Sequence, residues 1–148
     1  MAVREATHAD LPALLGLIRA YADFYESSPS DEGIEEMARS VIGLPEDEAF
    51  MLVAVDEGSH VVGFAACCWK WSSLRGARIV VLDDLFVDPR SRGAGHADAL
   101  IEAAADVARR HGGPVLTWLT QTDNHRAQAV YNRVGAVPAD YMEYELEL

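Results

Sequence analysis

The sequence predicts a mixed α/β (α+β) fold in which helices cover a sheet, with elements in the order β-α-α-β-β-β-α-β-α-β. Three observations lead there. Apolar residues recur at helical spacing from Leu11 to Ala22, the stretch from Phe50 to Val87 is rich in strand signals, and the final residues alternate apolar with polar. A length of 148 residues, half of them hydrophobic, suits one ordinary domain over 1–148, since no repeat, low-complexity tract or linker divides it.

The elements follow in chain order. Residues 2–6 read as a short first strand. Thr7 or Asp10 can cap a helix running to about Tyr25, with Leu11, Leu14, Leu15, Ile18, Tyr21 and Ala22 on its apolar face. A break at Ser27-Ser-Pro-Ser30 precedes an acidic helix over 31–43, stopped by Gly43 and Pro45. Phe50–Val55 and His60–Trp71 form strands joined by the loop Asp56-Glu-Gly-Ser59, and residues 78–87 form the next strand. A long helix over 94–111 ends at Gly112-Gly-Pro114. Val115–Thr120 is another strand, and 124–134 is a helix ending at Gly135. The tail places Met142, Tyr144, Leu146 and Leu148 opposite Tyr141, Glu143, Glu145 and Glu147, which predicts a half-buried antiparallel strand.

Composition narrows the function classes. No apolar run approaches the roughly 20 residues that span a bilayer, and Arg4, Glu5, His8 and Asp10 break any early signal-peptide pattern. A cytoplasmic location is therefore expected. Cys67 and Cys68 are adjacent and would point to opposite faces of a strand, so two reduced thiols are expected rather than a disulfide. A net charge of −12 repels nucleic acid and anionic membrane and attracts cations. No metal enters the expected chemistry.

The most informative stretch is Leu85-Phe-Val-Asp-Pro-Arg-Ser-Arg-Gly-Ala-Gly-His-Ala97. A strand ends, a turn carries Arg92, Gly93 and Gly95, and a helix begins. Missing side chains let the backbone close on a ligand, while the free amides and positive dipole of the first helical turn favour phosphate. A dinucleotide fold is the weaker alternative, because Asp98 stands where the third glycine of Gly-x-Gly-x-x-Gly belongs.

Arg92-Gly-Ala-Gly-His-Ala97, preceded by Val87-Asp-Pro89, resembles the Arg/Gln-x-x-Gly-x-Gly/Ala signature of the GCN5-related N-acetyltransferases (GNAT). The resemblance implies a mixed, mostly antiparallel central sheet flanked by helices, and acetyl-CoA as cosubstrate. It assigns the pyrophosphate to the turn of Arg92, Gly93, Ala94, Gly95, His96 and Ala97. It gives the pantetheine arm to the backbone of Leu85, Phe86 and Val87. His96 occupies a motif position that is usually apolar.

Asn124 and Tyr131 lie seven residues apart, nearly two helical turns, and so share a helix face. A phenol is protonated at neutral pH and can donate to a departing thiolate. The segment Asn124-His-Arg-Ala-Gln-Ala-Val-Tyr131 is similar to the family's Asn-x-x-Ala-x-x-x-Tyr, which implies that Asn124 contacts pantetheine and that Tyr131 is the general acid. Asp83 and Asp84 interrupt an apolar strand, an expensive place for carboxylates without a purpose. Alternation puts Asp83 with Leu85 and Val87, and Asp84 with Leu82 and Phe86. Leu82-Asp-Asp-Leu-Phe-Val87 resembles a run of the diamine and polyamine acetyltransferases, where a glutamate at the position of Asp83 serves as base. That likeness implies Asp83 as the base and a structural role for Asp84. The cost of two carboxylates in the strand has one of them face the acceptor, which keeps Asp84 among the substrate-binding candidates.

In this family the first two helices cover the acceptor. Tyr21, Phe24, Tyr25 and Glu26 are therefore the expected substrate-binding residues. Their aromatic and acidic character suits an ammonium by cation–π contact and charge, and a solvated acidic helix face with core aromatics is the reading left beside it. The expected activity is acetyl transfer by direct attack of a primary amine on a small molecule or basic peptide. An antibiotic amine, a protein N-terminus or a catalytically silent coenzyme A-binding subunit are the alternatives. A homodimer is expected from the alternating tail.

Overall fold

The computed structural model describes residues 2–148. Its elements are β1 (Ala2–Glu5), α1 (Leu11–Phe24), α2 (Asp31–Ile42), β2 (Ala49–Val55), β3 (Val61–Ser72), β4 (Ala77–Val87), α3 (His96–Arg110), β5 (Leu116–Thr117) and α4 (His125–Arg133). The sheet runs in sequence order from β1 to β5. The first three pairings are antiparallel, and β4 pairs with β5 in parallel. Among the described residues, no helix is long and apolar enough to cross a membrane.

Alternation along the central strands builds two cores, one on each face. Phe50, Leu52 and Ala54 of β2 join Ala65, Cys67, Val80 and Leu82 against Leu100, Ala104, Val107 and Ala108 of α3. Met51, Val53, Phe64 and Phe86 meet Leu14, Leu17 and Ile18 of α1, with Ile34 and Ala38 of α2. Burying a large apolar side chain contributes roughly 1.5–3 kcal/mol, so these helices are fixed to the sheet mainly by packing. Local caps set their ends. Ser30 Oγ accepts from Gly33 N at 3.0 Å at the start of α2. Before α1, the buried Asp10 carboxylate accepts from Thr7 N and from both guanidinium nitrogens of Arg4, each at 2.8 Å.

Three features depart from the sequence reading. The β3–β4 register passes from Ala66↔Asp84 to Cys67↔Leu82, leaving Asp83 as an extra residue in a bulge. The bulge resets alternation: Leu82 shares the α3 side with Leu85 and Val87, while Phe86 lies on the α1–α2 side. Simple period-two counting across Asp83 therefore puts Leu82 on the wrong face, while its pairing of Asp84 with Phe86 holds. The expected strand over 115–120 pairs only at Leu116 and Thr117. The alternating tail is not a strand here. Residues 136–148 carry no regular structure, and Tyr141, Met142, Tyr144, Leu146 and Leu148 are exposed, because among the described residues no strand pairs with them.

Candidate active site

The site begins where two strands part. β4 touches β5 only at Val80↔Leu116 and Val81↔Thr117, then continues to Val87. The outer edge of residues 82–87 has no strand partner among the described residues. Unpaired backbone groups there are open to an extended ligand. A pocket of about 580 Å³ occupies this opening, lined by Leu85, Phe86 and Val87 on one side and by α4 on the other.

At the end of β4, Asp88 accepts from Arg90 N at 2.9 Å and starts a short 3₁₀ turn over Pro89–Ser91. Gly93 and Gly95 then adopt φ of 83° and 84°, a left-handed conformation that costs other residues energy. Gly95 is the N-cap of α3 and offers no side chain to the first-turn amides, which therefore remain available to an anion. A Cβ on Gly93 would meet nothing within 4 Å, so the turn is open. Arg92 Nε donates to Val87 O at 3.0 Å, and its guanidinium lies 5.6 Å over the Phe86 ring. Burial and the nearby Arg126 both lower its proton affinity. Neither arginine belongs to an ion pair among the described residues. Two guanidiniums converging beside a bare helix N-terminus suit a polyanionic ligand.

The opposite wall is α4. Asn124 is its N-cap, with Oδ1 accepting from Ala127 N at 3.2 Å. Arg133 at the far end holds Asp98 of α3 through two hydrogen bonds of 2.8 and 2.7 Å, tying the two walls together. Tyr131 projects into the pocket and packs edge-on to Trp118, with ring centroids 5.2 Å apart. Burial, then the neighbouring Tyr25, raises its phenol above the usual range, so it holds its proton at neutral pH.

Aromatic residues close the third side. Tyr21, Phe24 and Tyr25 line the pocket, with Tyr21–Tyr25 and Phe24–Tyr25 centroids each 5.0 Å apart. Asp84 is half-buried and faces the Tyr21 hydroxyl. Burial raises its carboxyl above the ordinary range and the adjacent Asp83 adds to this, while the Tyr21 hydrogen bond opposes it. Asp83 is exposed in the bulge beside the Cys68 thiol. Burial, with Asp83 next, pushes that thiol up to about 11, so it is protonated and a poor nucleophile at neutral pH.

Most of the residues singled out from sequence meet at this pocket: Tyr21, Phe24, Tyr25, Leu85, Phe86, Val87, Arg92, Gly93, Gly95, His96, Ala97, Asn124 and Tyr131 line it. Ala94, Glu26, Asp83 and Asp84 are not part of the lining. Glu26 is exposed with φ of 55° just past α1, and Asp84 reaches the site through Tyr21. The sequence reading missed Arg126, Val130 and Arg133, which also line the pocket. Arg126 had a signal: a cation in the first turn after Asn124, where a dipole argument alone would place an acid. Two acids of α2 are engaged elsewhere, Asp31 with Arg19 at 2.7 Å and Glu35 with Arg39 at 2.8 Å.

A parted strand pair above a glycine-opened helix N-terminus, with a protonated phenol opposite, suits an extended, phosphate-bearing ligand. The chain belongs to the acetyltransferase (GNAT) family, whose family model matches residues 14–136. It is 32% identical over 135 residues to the uncharacterized N-acetyltransferase YhfO of Bacillus subtilis (strain 168), covering 91% of this chain and 89% of that one. It is 30% identical to a thialysine N-epsilon-acetyltransferase of Bos taurus, covering 90% and 82%. A crystal structure of a probable acetyltransferase superposes with a TM-score of 0.86 at 27% identity, covering 100% and 98%. The protein is an acetyl-CoA-dependent N-acetyltransferase.

Proposed function

We propose that the chain acetylates the primary amine of a small cationic acceptor by direct attack on the thioester. The observation that carries this reading is the half-buried Asp84, the carboxylate that adjoins the aromatic cluster of Tyr21 and Tyr25. Aromatic faces attract an ammonium, and a desolvated carboxylate of raised pKa is suited to take its proton. The likeness to a bovine thialysine N-epsilon-acetyltransferase supports a small amine over a folded protein surface.

Bound acetyl-CoA supplies the activated acetyl group. Its phosphates suit the first-turn amides of α3 with Arg92 and Arg126, and its extended arm suits the free edge of Leu85–Val87 and Asn124. Asp84 takes a proton from the ammonium by way of the Tyr21 hydroxyl, which passes its own proton to the carboxylate and gains the ammonium's, leaving a lone pair to attack. Tyr131 gives its phenolic proton to the departing sulfur. Sequence likeness assigned the base to Asp83. Burial and the contact with Tyr21 support Asp84 instead, with Asp83 raising Asp84's proton affinity through its charge. Incubating the protein with acetyl-CoA and putrescine, spermidine, lysine analogues, a basic peptide or an aminoglycoside, and following thiol release, tests the acceptor. Turnover confined to the peptide or to the aminoglycoside would overturn the small-amine reading.

The exposed alternating tail supports a homodimer in which its apolar face is covered by the second copy. Light scattering that finds only monomer would contradict it.

A further inference from the structure

We propose that Thr120 is a positioning residue for the Tyr131 phenol, donating its hydroxyl hydrogen to the phenolic oxygen as that oxygen gives up its proton. This rests on the reading of Tyr131 as the general acid. Trp118 and Thr120 are part-buried while Leu119 between them is 70% exposed. The two therefore turn to the same side of the extended segment after β5. Trp118 on that side packs 5.2 Å from Tyr131. Thr120 Oγ1 is sealed from solvent and makes no hydrogen bond in the structure. A buried hydroxyl without a partner is costly, and such groups gather where they serve a purpose. The phenol is the partner within its reach, and the hydroxyl favours the ionised phenol, against the upward push of burial and Tyr25.

The proton balance gives the hydroxyl its task. When the thioester C–S bond breaks, the sulfur gains a proton and the Tyr131 O–H bond is lost, leaving a phenolate in a half-buried site. Tyr21 of α1 and Tyr25 at its end lie near that oxygen, and neither side chain supplies a positive charge. The Thr120 O–H is the donor on the β5 side. It stabilises the phenolate until solvent returns a proton through the open pocket. Hydrogen bonds of this kind are often loose before the reacting groups assemble.

Thr120→Val preserves shape and removes the hydroxyl, and Thr120→Ser restores it. The expected result for Thr120→Val is a kcat lowered about tenfold, with the acetyl-CoA KM and the calorimetric coenzyme A affinity unchanged. Thr120→Ser keeps most of kcat. In a Tyr131→Phe background the valine substitution costs nothing further. With coenzyme A bound, the Tyr131 Cζ resonance of ¹³C-tyrosine protein, assigned by its loss in Tyr131→Phe, moves in Thr120→Val and returns in Thr120→Ser. An equal cost in the Tyr131→Phe background, or an unmoved Cζ resonance, would overturn the proposal while leaving the acid role of Tyr131 standing. Full turnover in Tyr131→Phe itself would overturn both.

Discussion

The chain up to Ala108 and the chain beyond it are built differently. Every buried residue lies in the first part, where β1–β4 pack between α1 and α2 on one face and α3 on the other. From Arg109 to the C-terminus no residue is buried, and the only strand pairing is the two-residue contact of β5. Yet this second part supplies Asn124, Arg126, Val130, Tyr131 and Arg133 to the pocket. The fold is held by one region, and one wall of the site hangs from the other. A wall that buries little is free to separate from β4 and leave a crevice. Its attachment then rests on a few specific contacts: Arg133 with Asp98, the two-residue pairing of β5 with β4, and Trp118 packed on the α3-side core.

That contrast can be broken in graded ways. The largest effect on stability should come from Phe64→Ala in the centre of the first region, where the side chain is 1% exposed. A loss of about 3–5 kcal/mol in urea unfolding is expected. Acid should act on the first region too. Asp10 is held to about 2 by Arg4, then by Thr7. Its folded pKa lies below the ordinary carboxylate value near ~4, so its contribution is present above that value and lost as pH falls toward 2. A pH–stability curve should therefore be steeper there for the wild type than for Asp10→Asn, which lacks the titrating group.

In the second region the effects should fall on binding rather than on folding. Arg126→Ala should weaken coenzyme A about tenfold, by about 1.4 kcal/mol, with Tm nearly unchanged. It should leave the affinity for pantetheine, which has no phosphate, unaltered in calorimetry. An equal loss for both ligands would move Arg126 away from the phosphates. The smallest effect belongs to the tail. Leu146→Ala should change the stability of the monomer by no more than about 0.5 kcal/mol, while shifting the monomer–dimer balance measured by sedimentation.

The same division governs what could be read from sequence. Helices α1, α2 and α3 and strands β2 to β4 were legible within a few residues because burial imposes a period on their side chains. The glycine turn was legible because Gly93 and Gly95 answer a backbone need for positive φ. The bulge was not, since the extra residue at Asp83 is defined only by its register against Ala66 and Cys67 on another strand. It takes Leu82 to the side of Leu85 and Val87, while Asp84 keeps the side of Phe86 and Tyr21. The tail has the alternation of a strand, but alternation cannot supply a neighbour to pair with. Arg126 and Thr120 gain meaning only from residues distant in sequence, Arg92 for one and Tyr131 for the other.

The two aspartates offer the most direct test of the chemistry. Thiol release from acetyl-CoA should be followed against pH, with the best amine of the panel, for wild type, Asp83→Asn and Asp84→Asn. Removing a general base costs on the order of 100-fold or more, and the account assigns that loss in kcat/KM to Asp84→Asn. The wild-type acid limb should lie above the ordinary carboxylate range, since activity falls as pH drops through the raised pKa of Asp84. Asp83→Asn should keep most of the activity and move that limb to lower pH, because a neighbouring negative charge has gone. A 100-fold loss in Asp83→Asn with Asp84→Asn nearly intact would contradict the assignment and return the base to the bulge.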